Sequence, residues 1–186
     1  MNKPLFLFVG RSASGKTTIA DILERNHGFQ QVNSYTTRQP RYDGEVGHVF
    51  VTEEEFKALK DMVAYTFYDG NHYGTTAEQL DKCSIYVVDI PGVKTLLEKY
   101  KSKRRITIIF FDAGVCTRIN RMRNRGNNDN FIISRLLQDD KENWLDQLRY
   151  ITKHCDKYID LYSIDADKDL DNVLEMVMYY MEDEAW

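Results

Sequence analysis

The chain has 186 residues, of which 42% are hydrophobic, and its formal net charge is −4. This length suits a single domain with a core of its own and with room for an inserted lobe. Because no basic face dominates such a composition, we expect no nucleic-acid polymer as a partner. The three cysteines are widely spaced and form neither a disulfide framework nor a metal-binding pattern, which predicts a reducing compartment.

The N-terminal stretch MNKPLFLFVG contains only five consecutive apolar residues, too few for the core of a signal peptide. No run in the chain approaches the roughly 20 apolar residues that cross a bilayer. We therefore expect a cytoplasmic protein without a membrane partner. The composition leaves open whether it is a monomer or a homodimer.

Four short apolar runs are typical of strands that are buried on both faces, as in a parallel sheet. They are residues 5–9, 84–90, 105–111 and 158–164. Apolar residues at helical spacing predict helices between and after these runs. The predicted helices are residues 17–26, which end before Gly28, residues 133–152 and residues 169–181. Strands that alternate with helices indicate an α/β protein with a parallel sheet covered on both sides.

Residues 30–80 break this alternation. They contain two strand-like pieces, HVFV and VAYTFY, a turn signal, YDGN, and a brief helix candidate, EEEFKALK. This pattern predicts a small mixed α/β lobe inserted after the first helix. Residues 118–135 are rich in arginine and asparagine, a composition typical of a mobile, solvated flap.

The segment GRSASGKT, residues 10–17, fits the phosphate-loop pattern G-x-x-x-x-G-K-(S/T) and lies between a predicted buried strand and a predicted helix. Main-chain N–H groups in such a loop surround phosphate, and Gly10 and Gly15 allow backbone shapes that a Cβ would obstruct. Lys16 would reach the β- and γ-phosphates of ATP, and the Thr17 hydroxyl would coordinate Mg²⁺. The alternative is a chance glycine turn. The predicted ATP-binding residues are Gly10, Arg11, Ser12, Ala13, Ser14, Gly15, Lys16, Thr17 and Thr18.

A phosphate loop serves kinases, hydrolases and switches. The segment DIPG, residues 89–92, fits the short D-x-x-G pattern of a GTPase switch, but no N-K-x-D base-reading motif follows it. In a kinase, Asp89 would act as a metal-site residue that polarises a water bound to Mg²⁺. Its structural alternative is to cap the turn from strand to helix. Both roles remain open at this point.

A kinase also needs a site for the phosphate of its acceptor. Arg38 and Arg41 flank Pro40, which stiffens the loop, and an arginine fork can bind phosphate oxygens in pairs. The alternative is a solvated loop in which these charges pair with Asp43 and Glu45.

These and later motifs resemble the guanylate kinases. The segment SYTTRQPRYDGE resembles the S-x-(S/T)-T-R-x-P-R-x-G-E signature of that family, and GNHYGTT resembles its G-N-Y-Y-G-T loop. Further on, RMRNRG resembles the family's R-L-x-x-R-G lid, and SRL resembles the K-R-L that follows it. The resemblance covers nearly the whole chain in the right order. It implies an ATP-dependent nucleoside monophosphate kinase that transfers the γ-phosphoryl group to GMP or a related nucleotide.

The same resemblance implies a three-layer P-loop kinase core, an acceptor-binding lobe and a helical lid. The core would comprise residues 1–32, 81–117 and 136–186, the lobe residues 33–80, and the lid residues 118–135. The implied substrate-binding residues are Ser34, Arg38, Arg41, His48, Tyr73 and Thr75. The implied catalytic residues are Lys16, Arg38, Arg41, Arg121, Arg125 and Arg135, of which the last three would close over the transferring phosphoryl group.

The chain departs from the family where guanine is read. Alignment places Ala64 and Val87 where the family has base-reading carboxylates, so the identity of the acceptor base stays open. Asp69 is a possible substitute, although its simpler role is that of a turn residue. Tyr162 and Ser163 end the last predicted strand, where an asparagine often meets adenine in the family. The alternatives to a kinase are a non-catalytic guanylate-kinase-like binding module and a P-loop hydrolase or switch.

Overall fold

The computed structural model describes residues 3–40, 42–140, 143–156 and 159–183. Within this part of the chain, no helix combines the length and the apolar character needed to cross a membrane. The helices and strands, in chain order, are β1 (Leu5–Val9), α1 (Lys16–His27), β2 (Ser34–Thr36), β3 (His48–Phe50), α2 (Glu53–Ala58), β4 (Met62–Tyr68), β5 (Asn71–Thr76), α3 (Ala77–Lys82), β6 (Ile85–Val87), α4 (Ile90–Lys99), β7 (Ile106–Asp112), α5 (Val115–Asn124), α6 (Asp129–Asp139), α7 (Trp144–Lys153), β8 (Ile159–Asp165) and α8 (Leu170–Asp183).

The first sheet is parallel, with strand order β6-β1-β7-β8. Its strand β1 is buried on both faces. Leu5 and Leu7 point into a core shared with α4 and α7, whereas Phe6 and Phe8 point into a core shared with α1 and α8. Because side chains alternate across a strand, one apolar run serves two cores. The predicted three-layer parallel sheet is confirmed.

The second sheet has strand order β3-β2-β5-β4 and mixes parallel with antiparallel pairs. Asp69 and Gly70 have positive φ angles of 51° and 73° at the turn between β4 and β5, as the YDGN signal predicted. The helix candidate EEEFKALK contains α2, which begins with a capping box between Thr52 and Glu55. The mixed α/β character predicted for this part of the chain is therefore confirmed.

The arginine-rich segment after β7 is helical, and most of its residues are exposed, but three of them are buried. Its helices α5 and α6 bury Met122 and Ile132 against Ala13 of the glycine loop. Arg118 is only 2% exposed. Met122 and Ile132 lie on the side that faces the loop, whereas Phe131 and Ile133 are exposed.

The predicted helix over residues 133–152 is two helices. Helix α6 ends at Asp139, and α7 begins after Asn143, whose side chain accepts a hydrogen bond from the N–H of Asp146 at 3.3 Å. Leu137 is 67% exposed although Leu148 is buried, so the apolar stripe does not lie on one continuous face. The predictions for α1 and α8 are confirmed, and Gly28 ends α1 with a φ angle of 71°.

Candidate active site

The glycine loop connects β1 to α1 and is shaped by close approaches. A Cβ on Gly10 would lie 2.6 Å from the carbonyl oxygen of Phe111, and Gly15 has a φ angle of 101°. The ammonium group of Lys16 donates to the carbonyl oxygens of Gly10 at 2.6 Å and Arg11 at 2.9 Å. Both glycines are thus required by the backbone, and Lys16 is held close to the loop.

Burial lowers the pKa of Lys16 to about 8. The negative charge of Asp139 partly opposes this shift, and the positive charges of Arg125 and Arg118 add to it. An anion brought to the loop would favour the charged ammonium form, so we expect bound phosphate to raise this pKa again.

Ion pairs join the glycine loop to the end of α6. The N–H of Ser12 donates to Oδ2 of Asp139 at 2.7 Å, and Arg11 pairs with Asp140 at 3.0 Å. Buried Arg118 binds both acids, at 3.3 Å to Asp139 and in a two-bond contact at 2.8 and 2.9 Å to Asp140. One network of charged side chains therefore joins the loop to helices α5 and α6.

The sequence analysis did not predict this network. It assigned Arg11 to ATP phosphates or solvent, whereas Arg11 contacts Asp140 and, at 3.8 Å, Asp112. Asp139 had one available signal: it follows Arg135 by four residues, so both lie on the same face of α6.

A cavity of about 610 Å³ opens between the glycine loop and the second sheet. Its wall carries residues of the loop, of both sheets and of α6. Among them are Gly10, Ser12, Lys16, Ser34, His48, Thr66, Tyr68, Tyr73, Tyr86, Val87, Asp89, Gln138 and Asp139. The cavity thus joins the predicted donor site to part of the predicted acceptor site.

On and beside the second sheet, polar side chains are linked in pairs. The Ser34 hydroxyl and Nδ1 of His48 are 3.0 Å apart, and the His48 ring packs edge-on against Tyr73. The guanidinium group of Arg38 makes two hydrogen bonds to the carboxylate of Glu45, at 3.0 and 3.1 Å. These two side chains are only 13% and 6% exposed. Arg38 therefore pairs with Glu45, as the alternative interpretation predicted, but the pair is largely buried and does not lie in a solvated loop.

Burial lowers the pKa of Arg38, but Glu45 and Tyr73 outweigh that effect and the net shift is upward. Arg38 therefore remains fully charged. Arg41 lies outside the described residues. Of the described residues of the predicted acceptor set, Ser34, His48 and Tyr73 line the cavity, whereas Arg38 and the fully buried Thr75 do not.

Asp89 caps α4 and also reaches the cavity. Its Oδ1 atom accepts hydrogen bonds from the N–H of Gly92 at 2.9 Å and from the Thr66 hydroxyl at 2.6 Å. Burial raises the pKa of this carboxyl, and the hydrogen bonds from Thr66 and Gly92 limit the rise. Asp89 therefore caps the N-terminus of α4, which is one of the two roles that the sequence left open for it. The described residues contain no group of three or more histidine, cysteine, aspartate or glutamate side chains that could hold a metal ion.

The described wall of the cavity carries two carboxylates, those of Asp89 and Asp139, although sequence alignment indicated that the family's base-reading carboxylates are lost. Ala64 is fully buried and does not line the cavity, whereas Val87 does. Asp69 lies at the tip of the β4–β5 turn with a left-handed backbone, so its role is that of a turn residue.

The three predicted lid arginines do not converge. Arg121 donates to the carbonyl oxygens of Ser14 at 3.1 Å and Ala166 at 2.8 Å. Arg121 and Arg125 line a second cavity, of about 330 Å³, beside the glycine loop. Arg135 instead stacks over the ring of Tyr68 in the second sheet.

Tyr162 and Ser163 of the last predicted strand do not line the second cavity. Strand β8 continues to Asp165, and Tyr162 stacks against Tyr180 of α8 with ring centroids 4.2 Å apart. The residues that line the cavity from this side are Ala166, Lys168, Leu170 and Val173. Strand β8 ends one residue later than the predicted run 158–164, because Asp165 still pairs with Asp112 of β7.

A parallel sheet with a glycine loop after its first strand, a second mixed sheet and a shared cleft define an α/β protein with the guanylate kinase fold. A guanylate kinase from Anaplasma phagocytophilum superposes over 100% of this chain and 88% of its own, with a TM-score of 0.55 and 18% identity. No protein-family model matches the chain.

Proteins that are similar to this chain in sequence are also guanylate kinases. A guanylate kinase of Clostridium tetani is 37% identical over 114 residues, which cover 54% of each chain. A guanylate kinase of Geobacter metallireducens is 32% identical over 56% of this chain and 58% of its own, so these matches span little more than half of either relative. A guanylate kinase of Fusobacterium nucleatum is 27% identical over 92% of this chain and 95% of its own. The chain is thus similar to guanylate kinases in sequence and in fold.

Proposed function

We propose that this protein is an ATP-dependent nucleoside monophosphate kinase that transfers the γ-phosphoryl group to the phosphate of GMP or a related nucleotide. The observation that carries the proposal is the 610 Å³ cavity, whose wall includes both Lys16 of the glycine loop and the Ser34–His48 pair of the second sheet. A donor phosphate at the loop and an acceptor phosphate at the second sheet would share this one space.

Transfer between two phosphates passes through a loose, strongly anionic transition state, so catalysis depends on positioning and positive charge. Lys16 supplies charge at the loop, and Arg121 and Arg125 lie beside it. The acceptor phosphate is already ionised at neutral pH, so no general base is required.

In this proposal the second cavity takes part of the ATP molecule, because it adjoins the glycine loop and is lined by Arg121, Arg125 and Lys168. Mg²⁺ prefers oxygen ligands, and the Thr17 hydroxyl and the Asp89 carboxylate offer them. When bound, the ion would neutralise charge on the donor phosphates. Asp89 fits this role because it lines the cavity with Lys16.

The acceptor base would lie against the wall formed by Thr66, Tyr86, Val87 and Asp89. A nucleobase stacks well on aromatic and apolar surface, and polar groups at its edge then set selectivity. Because Val87 is apolar and Asp89 is tied to Thr66 and Gly92, we keep GMP and related nucleotides together as acceptor candidates.

A coupled assay of ADP release with each common nucleoside monophosphate tests the proposal. We expect ADP to form only when an acceptor is present, and Lys16→Ala to abolish it. Lys57→Ala, on the exposed face of α2, is the matched control and should retain full turnover. ADP formation without an acceptor would indicate a hydrolase, and no turnover with any acceptor would favour a binding module.

A further inference from the structure

Helix α6 contacts the second sheet through one aromatic ring. The guanidinium carbon of Arg135 lies 4.5 Å from the centroid of the Tyr68 ring, at the end of β4. It also lies 5.2 Å from the centroid of Phe131, one turn earlier on α6. Arg135 thus makes cation–π contacts with a ring of its own helix and with a ring of the second sheet.

This contact occurs at the cleft. Tyr68 lines the 610 Å³ cavity, as do Gln138 and Asp139, three and four residues after Arg135 on α6. Residues at these spacings share one face of a helix, so Arg135 lies on the side of α6 that faces the cleft. At the far end of the same face, Asp139 accepts the N–H of Ser12.

Stacking leaves the hydrogen-bonding capacity of an arginine in place. The aromatic ring meets the flat face of the guanidinium, whereas its N–H donors point outward in the guanidinium plane. An arginine held by a ring can therefore donate to a phosphate without leaving that ring. The ring reduces the number of side-chain orientations that must be given up when the phosphate arrives.

We propose that Tyr68 is a positioning residue that holds Arg135 over the cleft for the transferring phosphoryl group. This inference rests on the proposed kinase function. Phe131 cannot serve in the same way, because it belongs to α6 and moves with Arg135. Tyr68 belongs to the other lobe, so its ring links the orientation of a lid arginine to the lobe that receives the acceptor.

The first test compares Tyr68→Phe with Tyr68→Leu by steady-state kinetics with the best acceptor. The phenylalanine keeps the ring, so kcat should stay within about twofold, whereas the leucine should lower kcat by about five- to twentyfold, as expected for a partly buried cation–π contact. Tyr179→Leu, which removes an exposed ring of α8 that packs on Tyr180, is the control and should leave kcat unchanged. A wild-type kcat for Tyr68→Leu would overturn the inference.

The second test separates positioning from contact with the acceptor. If Tyr68 acts through Arg135, Tyr68→Leu should have no further effect on kcat in an Arg135→Gln background, measured at high enzyme concentration. A loss that appears only in the KM of the acceptor, and that persists in that background, would overturn the inference and make Tyr68 a simple acceptor contact.

A double-mutant cycle of these variants in urea unfolding measures the contact without any substrate. We expect coupling between positions 68 and 135 with leucine and none with phenylalanine, and additive effects with leucine would overturn the inference.

A wild-type protein that is inactive with every acceptor would overturn the proposed function itself. An active wild type with an equally active Tyr68→Leu variant would overturn this inference alone.

Discussion

The main-chain N–H of Ser12 donates a hydrogen bond to Oδ2 of Asp139 at 2.7 Å, across 127 positions of the chain. A carboxylate at the end of α6 thereby serves a donor of the glycine loop. The same carboxylate pairs with buried Arg118. Asp139, on α6, therefore links the loop to α5.

We expect Asp139→Ala to lower the free energy of unfolding by about 3 kcal/mol, the low end for breaking a buried ion pair, because Arg118 keeps Asp140 as a partner. Urea denaturation measures the loss. Asp129→Ala breaks the exposed pair with Arg123 and should lower it by less than about 1 kcal/mol. Equal losses in the two variants would contradict a structural role for Asp139.

ATP binding should weaken as pH rises above about 8, because the lowered pKa of Lys16 leaves the free protein increasingly neutral there. The affinity should fall by up to about tenfold per pH unit, and binding near pH 9 should take up protons. Titration calorimetry in two buffers of different ionisation enthalpy measures the uptake. Lys16→Met should abolish it, and an affinity independent of pH between 8 and 10 would refute the assignment.

The lowered pKa of Lys16 also predicts that the free energy of unfolding rises with pH in alkaline solution, whereas the affinity for ATP falls. Between pH 8 and 10.5 the unfolded chain retains the Lys16 proton that the folded protein has lost. The contribution of Lys16 to the free energy of unfolding should therefore rise with pH across this window. Urea unfolding of wild type and Lys16→Met isolates it as the difference between their pH profiles, and parallel profiles would exclude it.

Arg38→Lys should lower kcat/KM for the acceptor by about 10- to 100-fold, because a lysine keeps the charge beside Glu45 but loses the guanidinium fork, and hydrogen bonds to charged groups contribute about 1.5–3 kcal/mol. Arg38→Ala should abolish transfer, although it also leaves the buried Glu45 carboxylate unpaired. Arg105→Lys, which alters the pair with Asp160 at the other end of the parallel sheet, is the control. Unchanged acceptor affinity and turnover in both Arg38 variants would exclude Arg38 from the acceptor site.

Asp89→Asn separates the helix cap from a role in magnesium binding. Asparagine also caps helices, so the free energy of unfolding should change by less than about 1 kcal/mol, and Asp89→Ala should lower it further. If the carboxylate serves Mg²⁺, both variants should lose turnover and require more Mg²⁺ to recover it. Full turnover of Asp89→Asn at wild-type Mg²⁺ concentrations would leave capping as its role.

Local patterns predicted the local structure well. The apolar run Leu5–Val9 is a strand buried on both faces, Gly28 ends α1, and the glycines of the loop have the backbone shapes that their positions demand. Each feature depends on backbone geometry and on neighbours in the chain, so a few consecutive residues are enough to predict it. The separation of α6 from α7 was missed because an apolar stripe at helical spacing does not reveal where the chain turns.

The amino-acid sequence by itself determined the family resemblance, the phosphate-loop pattern and the kinds of charged groups available. Only the tertiary structure decided how those groups are partnered: Arg38 with Glu45, Ser12 with Asp139, and Arg135 with Tyr68. A hydrogen bond or a stacked pair acts over a few ångströms of space, and chain folding brings into that range residues that no sequence spacing relates.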